Sequence, residues 1–134
     1  MVQRAPLEAV DSVRLEARMS VDEPDKIDFL VTDSEKTYVL LIIADHLDWK
    51  EFDEGDHLEL LQDKINAYLH FVEDGELVKV RSDLKGLPVT IQVDAKYPPS
   101  NKAVQFYRAA GPMVAKAGVS LQLHVPSSDT TTRF

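Results

Sequence analysis

A two-layer α+β domain is predicted: element order ββαβαβ, a four-stranded mixed sheet, and two helices packed on one of its faces. Three observations predict it. Four short segments alternate apolar and polar residues, or run apolar throughout, as strands do. Two longer segments repeat apolar residues at helical spacing. After the first two strands, helix and strand alternate, which implies parallel crossovers. The 134 residues are enough for one domain with one sizeable core.

The first strand lies in "KIDFLVTD", where alternation puts Ile27, Phe29 and Val31 on one face. "DSEK" then reads as a turn, so the next strand pairs antiparallel. That strand, "TYVLLIIAD", is apolar on both faces, with Tyr38, Leu40, Ile42 and Ala44 on one and Val39, Leu41 and Ile43 on the other. Such a strand belongs at the centre of a sheet, covered on both sides. A helix is predicted over 57–72, with Asp56 as its cap and Glu59 completing a capping box. Gly75 is its left-handed terminator. Leu58, Leu61, Ile65, Tyr68, Leu69 and Val72 form its main apolar arc, and Leu60, Ala67 and Phe71 a second stripe.

"ELVKVRSDLKGLP" is a connector with room for a turn of helix. "PVTIQVDAKY" alternates cleanly, with Val89, Ile91, Val93 and Ala95 inward. Ser100 or Asn101 caps the second helix, whose buried face is Ala103, Phe106, Tyr107, Ala110, Met113, Val114 and Ala117. Gly111-Pro112 predicts a kink or restart, because proline removes a backbone hydrogen bond and crowds the preceding turn. Gly118 ends the helix, and "SLQLHVP" is the last strand, with Leu121, Leu123 and Val125 inward.

Residues 1–18 read as an N-terminal extension, weakly patterned as a short helix through Leu7, Val10 and Arg14. "MSVDEPDKIDF" resembles a chain start of its own, so the domain is expected over 19–126. The polar "SSDTTTRF", residues 127–134, is expected to be a disordered tail. With these bounds, "DKIDFLV", "LLIIADHLDW", "HLELLQDKINAYLHFVEDGEL" and "VDAKYP", in this order, resemble a family of small bacterial proteins known only as a domain of unknown function. The likeness covers about residues 19–125 and is most specific in the first helix. It implies a small α/β domain and brings no activity, cofactor or partner. Gly111-Pro112 departs from the uninterrupted second helix associated with that family.

The formal net charge is −8, unevenly spread. Residues 20–74 carry sixteen acidic against four basic side chains, and residues 89–124 four basic against one acidic. No basic footprint for nucleic acid exists. No apolar run is long enough to cross a bilayer, and no apolar segment with a cleavage site marks secretion. A cytoplasmic protein is expected. There is no cysteine, hence no disulfide, no thiolate metal site and no cysteine nucleophile. The patterns of serine nucleophile elbows and of phosphate-binding loops are absent as well.

The stretch "LLIIADHLDWKEFDEGDHLELL" gathers Asp45, His46, Asp48, Asp53, Asp56 and His57 within thirteen residues. Its spacing fits neither a zinc motif nor an EF-hand, and acids before a helix are favoured by its unpaired amides. No metal and no cofactor is expected. If the strands over 37–44 and 89–96 are parallel, their ends bring two loops together at one sheet edge, where open α/β sheets bind ligands. The candidate ligand residues there are Asp45, His46, Asp48, Trp49 and His57 from one loop and Lys96, Tyr97 and Lys102 from the other. The alternative is that these acids and bases lock the loops to each other. No catalytic residue is assigned.

The sheet face away from the helices is expected to carry Gln92, Gln122 and His124 beside an apolar patch of Val39, Leu41 and Ile43. With Leu60, Ala67 and Phe71, these are the candidate interface residues. A half-apolar open face asks for a cover, either residues 1–18 or a second subunit. The function expected is therefore a non-enzymatic interaction module, self-associating or binding a basic protein partner. The alternative is a small-ligand binder or enzyme at loops 45–57 and 96–102.

Overall fold

The computed structural model describes residues 11–14, 29–33 and 35–134. It is an α+β fold built on a mixed sheet whose strands follow chain order: β1 (Asp11–Arg14), β2 (Phe29–Thr32), β3 (Val39–Asp45), β4 (Val89–Ala95), β5 (Val119–Val125) and β6 (Thr130–Arg133). β3, β4 and β5 are parallel, and the outer pairings are antiparallel. The β3–β4 crossover holds α1 (Glu54–Glu73), the short α2 (Glu76–Val80) and a 3-10 turn. The β4–β5 crossover holds α3 (Asn101–Lys116).

Register decides which side of the sheet is the core. Val39, Leu41 and Ile43 pair with Val89, Ile91 and Val93, which align in turn with Val119, Leu121 and Leu123. All nine are buried and share one cluster with Leu61, Ile65 and Tyr68 of α1 and Ala103, Tyr107 and Val114 of α3. This corrects the expected interface: Val39, Leu41 and Ile43 are fully buried beneath the helices, so they are no part of an outer patch. A strand apolar on both faces does not reveal its inner face until its pairing is known. Leu40, Ile42 and Ala44 take the outer face and are half-buried.

Polar side chains on that outer face bond to one another, and one atom among them, Gln122 Oε1, is buried without a partner among the described residues. The Gln122 amide donates to Gln92, and the Gln92 amide donates to Asp94 Oδ1 at 2.8 Å. His124 Nδ1 lies 2.9 Å from Thr131 Oγ1.

Both sheet edges extend beyond the four expected strands. Residues 127–134 are not a loose tail: Thr130 to Arg133 pair with β5, as a run of β-branched threonines after a tight turn can. Its exposed side chains are why the segment reads as unpatterned. Residues 11–14 are a strand rather than the end of a short helix, and the rest of that expected helix lies outside the described residues.

The helices start and stop for local reasons. α1 begins one turn earlier than expected, because Asp53 rather than Asp56 is the cap; its Oδ1 accepts from the Asp56 amide at 2.9 Å. Gly75 closes it at φ 80. Ser100 caps α3 by accepting from the Ala103 amide at 3.1 Å. α3 runs through Pro112 without a break. Pro112 and Arg108 are exposed, so the carbonyl that loses its partner can meet water. Gly111 has a separate reason. A Cβ there would lie 2.5 Å from the carbonyl carbon of Phe134, whose ring stacks on Tyr107 at 5.2 Å.

Gly111→Ala is therefore expected to expel Phe134 and loosen β6, lowering stability by about 1–3 kcal/mol through overpacking. Chemical denaturation measures the loss, and amide exchange locates it. Unchanged stability with a protected β6 would refute the packing assigned to Gly111.

Candidate functional site

The acid-rich segment between β3 and α1 folds inward on one pair. Asp45 closes β3 and is buried; His57 sits in the first turn of α1 and is 0% exposed. His57 Nε2 lies 2.9 Å and 2.7 Å from the two oxygens of the Asp45 carboxyl group. Its Nδ1 lies 3.0 Å from the Asp48 carbonyl oxygen. A carbonyl can only accept, so Nδ1 donates, and a second proton must lie between Nε2 and Asp45. Asp45 Oδ1 also accepts from the Leu47 amide at 3.1 Å. The pair is satisfied from within the segment.

Two aromatic rings shield it. Trp49 stacks on His57 with centroids 3.6 Å apart and planes 17° apart. Phe52 meets the same ring edge-on at 6.1 Å. Asp48 shapes the loop that delivers both: its Oδ1 accepts from the amides of Glu51 and Phe52, each at 2.9 Å, and of Lys50 at 3.3 Å. These bonds, the Phe52 amide foremost, hold the Asp48 carboxyl below the usual range. Tyr107 of α3 lies within electrostatic reach of Asp45. Its hydroxyl is buried without a hydrogen-bond partner among the described residues. Burial first, and the Asp45 charge second, push that hydroxyl well above its ordinary pKa.

The candidate ligand residues therefore divide. Asp45, Asp48, Trp49 and His57 form an internal lock in which His57 is fully buried beneath Trp49 and Phe52, while Asp45 and Asp48 each also border a cavity. The lock differs from the one expected: it joins the strand end to the helix start rather than one loop to the other. The two loops are neighbours all the same, since the Lys96 amide donates to the Asp45 carbonyl at 2.9 Å. His46, Lys96 and Tyr97 stay exposed. A cavity of about 350 Å³ is lined by Ala44, Asp45, His46, Asp94, Lys96, Pro126 and Ser127. A second, of about 320 Å³, is lined by His46, Leu47, Asp48, Glu51, Phe52 and Tyr97. His46 borders both, whereas Lys102 borders neither. Among the described residues, no group of three His, Asp or Glu side chains is arranged to hold a metal ion. No helix among them is long and apolar enough to cross a membrane.

Sequence reasoning misses a second feature, a groove of about 260 Å³ between α1 and α3. Ile65, Leu69, Phe106, Ala110, Met113 and Val114 line it, with Gln62 and Asn66 at its rim. Met113, expected on the buried face, is 69% exposed. Its spacing from Ala110 and Val114 suits either side of that arc, so sequence alone could not place it. Leu60, Ala67 and Phe71 lie elsewhere on α1 and are half-buried.

Removing one member of a buried, bonded pair leaves the other uncompensated, at a cost of about 3–5 kcal/mol. Asp45→Ala and His57→Ala are each expected to destabilise to that degree and to shift Trp49 emission to the red. The double variant should lose less than the sum of the two. Additive losses would mean that the pair is not coupled.

No curated protein and no solved structure matches the chain. A family model described as "Family of unknown function (DUF6572)" matches residues 19–127, which hold β2 to β5 and all three helices. The chain belongs to that family.

Proposed function

We propose that this protein is an interaction module rather than an enzyme, and that it self-associates through the layer of α1 and α3. The observation that carries this reading is the apolar groove between helices of opposite charge. The exposed side of α1 carries Glu59, Asp63 and Glu73, whereas α3 presents Lys102 and Lys116. No acidic residue falls between Asp94 and Asp129. A two-fold contact would set α1 of each copy against α3 of the other, pairing the charges twice around a shared apolar centre. The helix face is favoured over the outer sheet face, where Gln92, Gln122 and His124 already bond to neighbouring side chains. A basic protein partner would meet the same acidic side of α1. In this reading the protein works in the cytoplasm.

Light scattering after size exclusion tests it. The native chain is expected to run as a dimer that weakens with salt. Met113→Glu, which puts a charge into the groove at an exposed position, should give a folded monomer. A native chain that stays monomeric at all concentrations would refute self-association.

A second reading rests on His46, which borders two cavities where the parallel strands β3 and β4 end. There His46 and Lys96 would bind a small anionic or zwitterionic molecule. A thermal-shift screen of carboxylates and amino acids should then show a stabilising hit that His46→Ala abolishes. No hit from such a screen would leave only the interaction reading.

A further inference from the structure

β6 and Phe134 occupy a slot that is not built around them alone. Residues 130–133 pair along the free edge of β5, and the Phe134 amide donates to the Leu121 carbonyl at 3.0 Å. The ring lies on Tyr107, and Gly111 opens the space for the adjoining backbone.

Three features mark this occupant as replaceable. All four side chains of β6 are exposed, so backbone hydrogen bonds, one ring and the Thr131–His124 contact hold it, much as in peptides that add a strand to a sheet edge. The turn before it places Asp129 at φ 50, a left-handed conformation that is strained for a residue other than glycine. Beside Phe134 a cavity of about 530 Å³ remains, bounded by Pro99, Val104, Arg108, Pro112 and Leu123. Arg108 at its wall makes no ion pair among the described residues. The slot's residues fall within the family match over 19–127, and the occupant falls outside it.

We infer that the β5 edge and the α3 slot form a groove for an extended peptide of another protein, which seats an aromatic side chain near Gly111 and a neighbouring carboxylate against Arg108, and that residues 130–134 are its built-in competitor. Such a peptide would complete the sheet as β6 does. It would also fill the space that β6 leaves and place a side-chain carboxylate against Arg108, which makes no ion pair among the described residues. The groove lies on β5 and the sheet-edge flank of α3, apart from the α1–α3 groove, so it stands independently of the self-association proposed above.

The test uses the full-length Phe134→Ala variant and two fluorescent peptides, read by anisotropy. One peptide copies residues 128–134; the other adds a glutamate after the phenylalanine. Both are expected to bind Phe134→Ala, and to bind the native chain about tenfold more weakly, because the attached segment competes at high effective concentration. The glutamate should tighten binding about two- to fivefold, the range of a solvent-exposed ion pair, and Arg108→Ala in the same background should erase that gain. Absence of binding to a Phe134→Ala chain that is folded by circular dichroism would overturn the proposal. So would equal binding when Gly111→Ala is added. Native-state exchange gives an arm that needs no variant: the bonded amides of 130–133 should exchange far faster than those of β3 and β4, and equal protection would overturn the proposal. A dimer that survives Met113→Glu but disappears in Phe134→Ala would mean exchange of β6 between copies, and would overturn the assignment to a foreign peptide.

Discussion

The contact between Asp45 and His57 organises the domain. It ties the last residue of the central strand to the first turn of the longest helix, twelve positions further along, through one ring nitrogen placed between both oxygens of a carboxyl group. Burying a carboxylate and an imidazole is costly unless each polar atom finds a partner. Here the Leu47 amide, the Asp48 carbonyl and the two groups themselves supply the partners. Trp49 then excludes water from one face of the ring. Once α1 is held at this point, its apolar arc is directed across β3 and β4. Tyr68 reaches back to the Ile42 carbonyl at 2.8 Å, which fixes the helix to the strand a second time.

That arrangement explains why a segment so rich in acids and imidazole has so little free chemistry. Its ligand-like groups face one another or the backbone. Asp48 is spent on three amides, Asp53 on a helix cap, and Asp45 on His57. What remains exposed at this sheet edge is His46 with Lys96 and Tyr97, a set that can recognise charge but shows no partnered acid and base. The neighbouring helix layer is the opposite case. Its apolar groove has no covering element among the described residues, and its exposed charges are sorted by helix, acidic on α1 and basic on α3.

The central architecture was legible because strand and helix periods differ. The alternation in 89–95 and 119–125 and the helical arcs of 54–73 and 101–116 admit few other arrangements, and parallel pairing follows from the crossovers. The rest was hidden for separate physical reasons. A strand apolar on both sides leaves its inner face undetermined, so alternation alone cannot assign Val39, Leu41 and Ile43 to the core. An edge strand of threonines has no apolar face to display. Gly111 looked like a helix breaker because its real partner, Phe134, is twenty-three positions away. The Asp45–His57 pair looked like a pair of ligands because a sequence shows which groups are near in the chain, not which are shut in together.

The uneven charge has a structural counterpart. The acid-rich stretch 20–74 contains α1, and the base-rich stretch 89–124 contains α3; the fold lays these two helices side by side over one sheet. Ion pairs confined within one copy would need the two rows to reach each other across the groove, but the groove is lined mainly by apolar side chains and its rim by amides. The rows therefore face solvent as parallel bands of opposite sign. A surface striped in this way is self-complementary under a two-fold rotation, which lays the acidic band of one copy on the basic band of the other. The same rotation would cover exposed Met113 and half-buried Leu69. Charge and hydrophobic exposure are separate requirements, and the proposed two-fold contact through this layer would answer both.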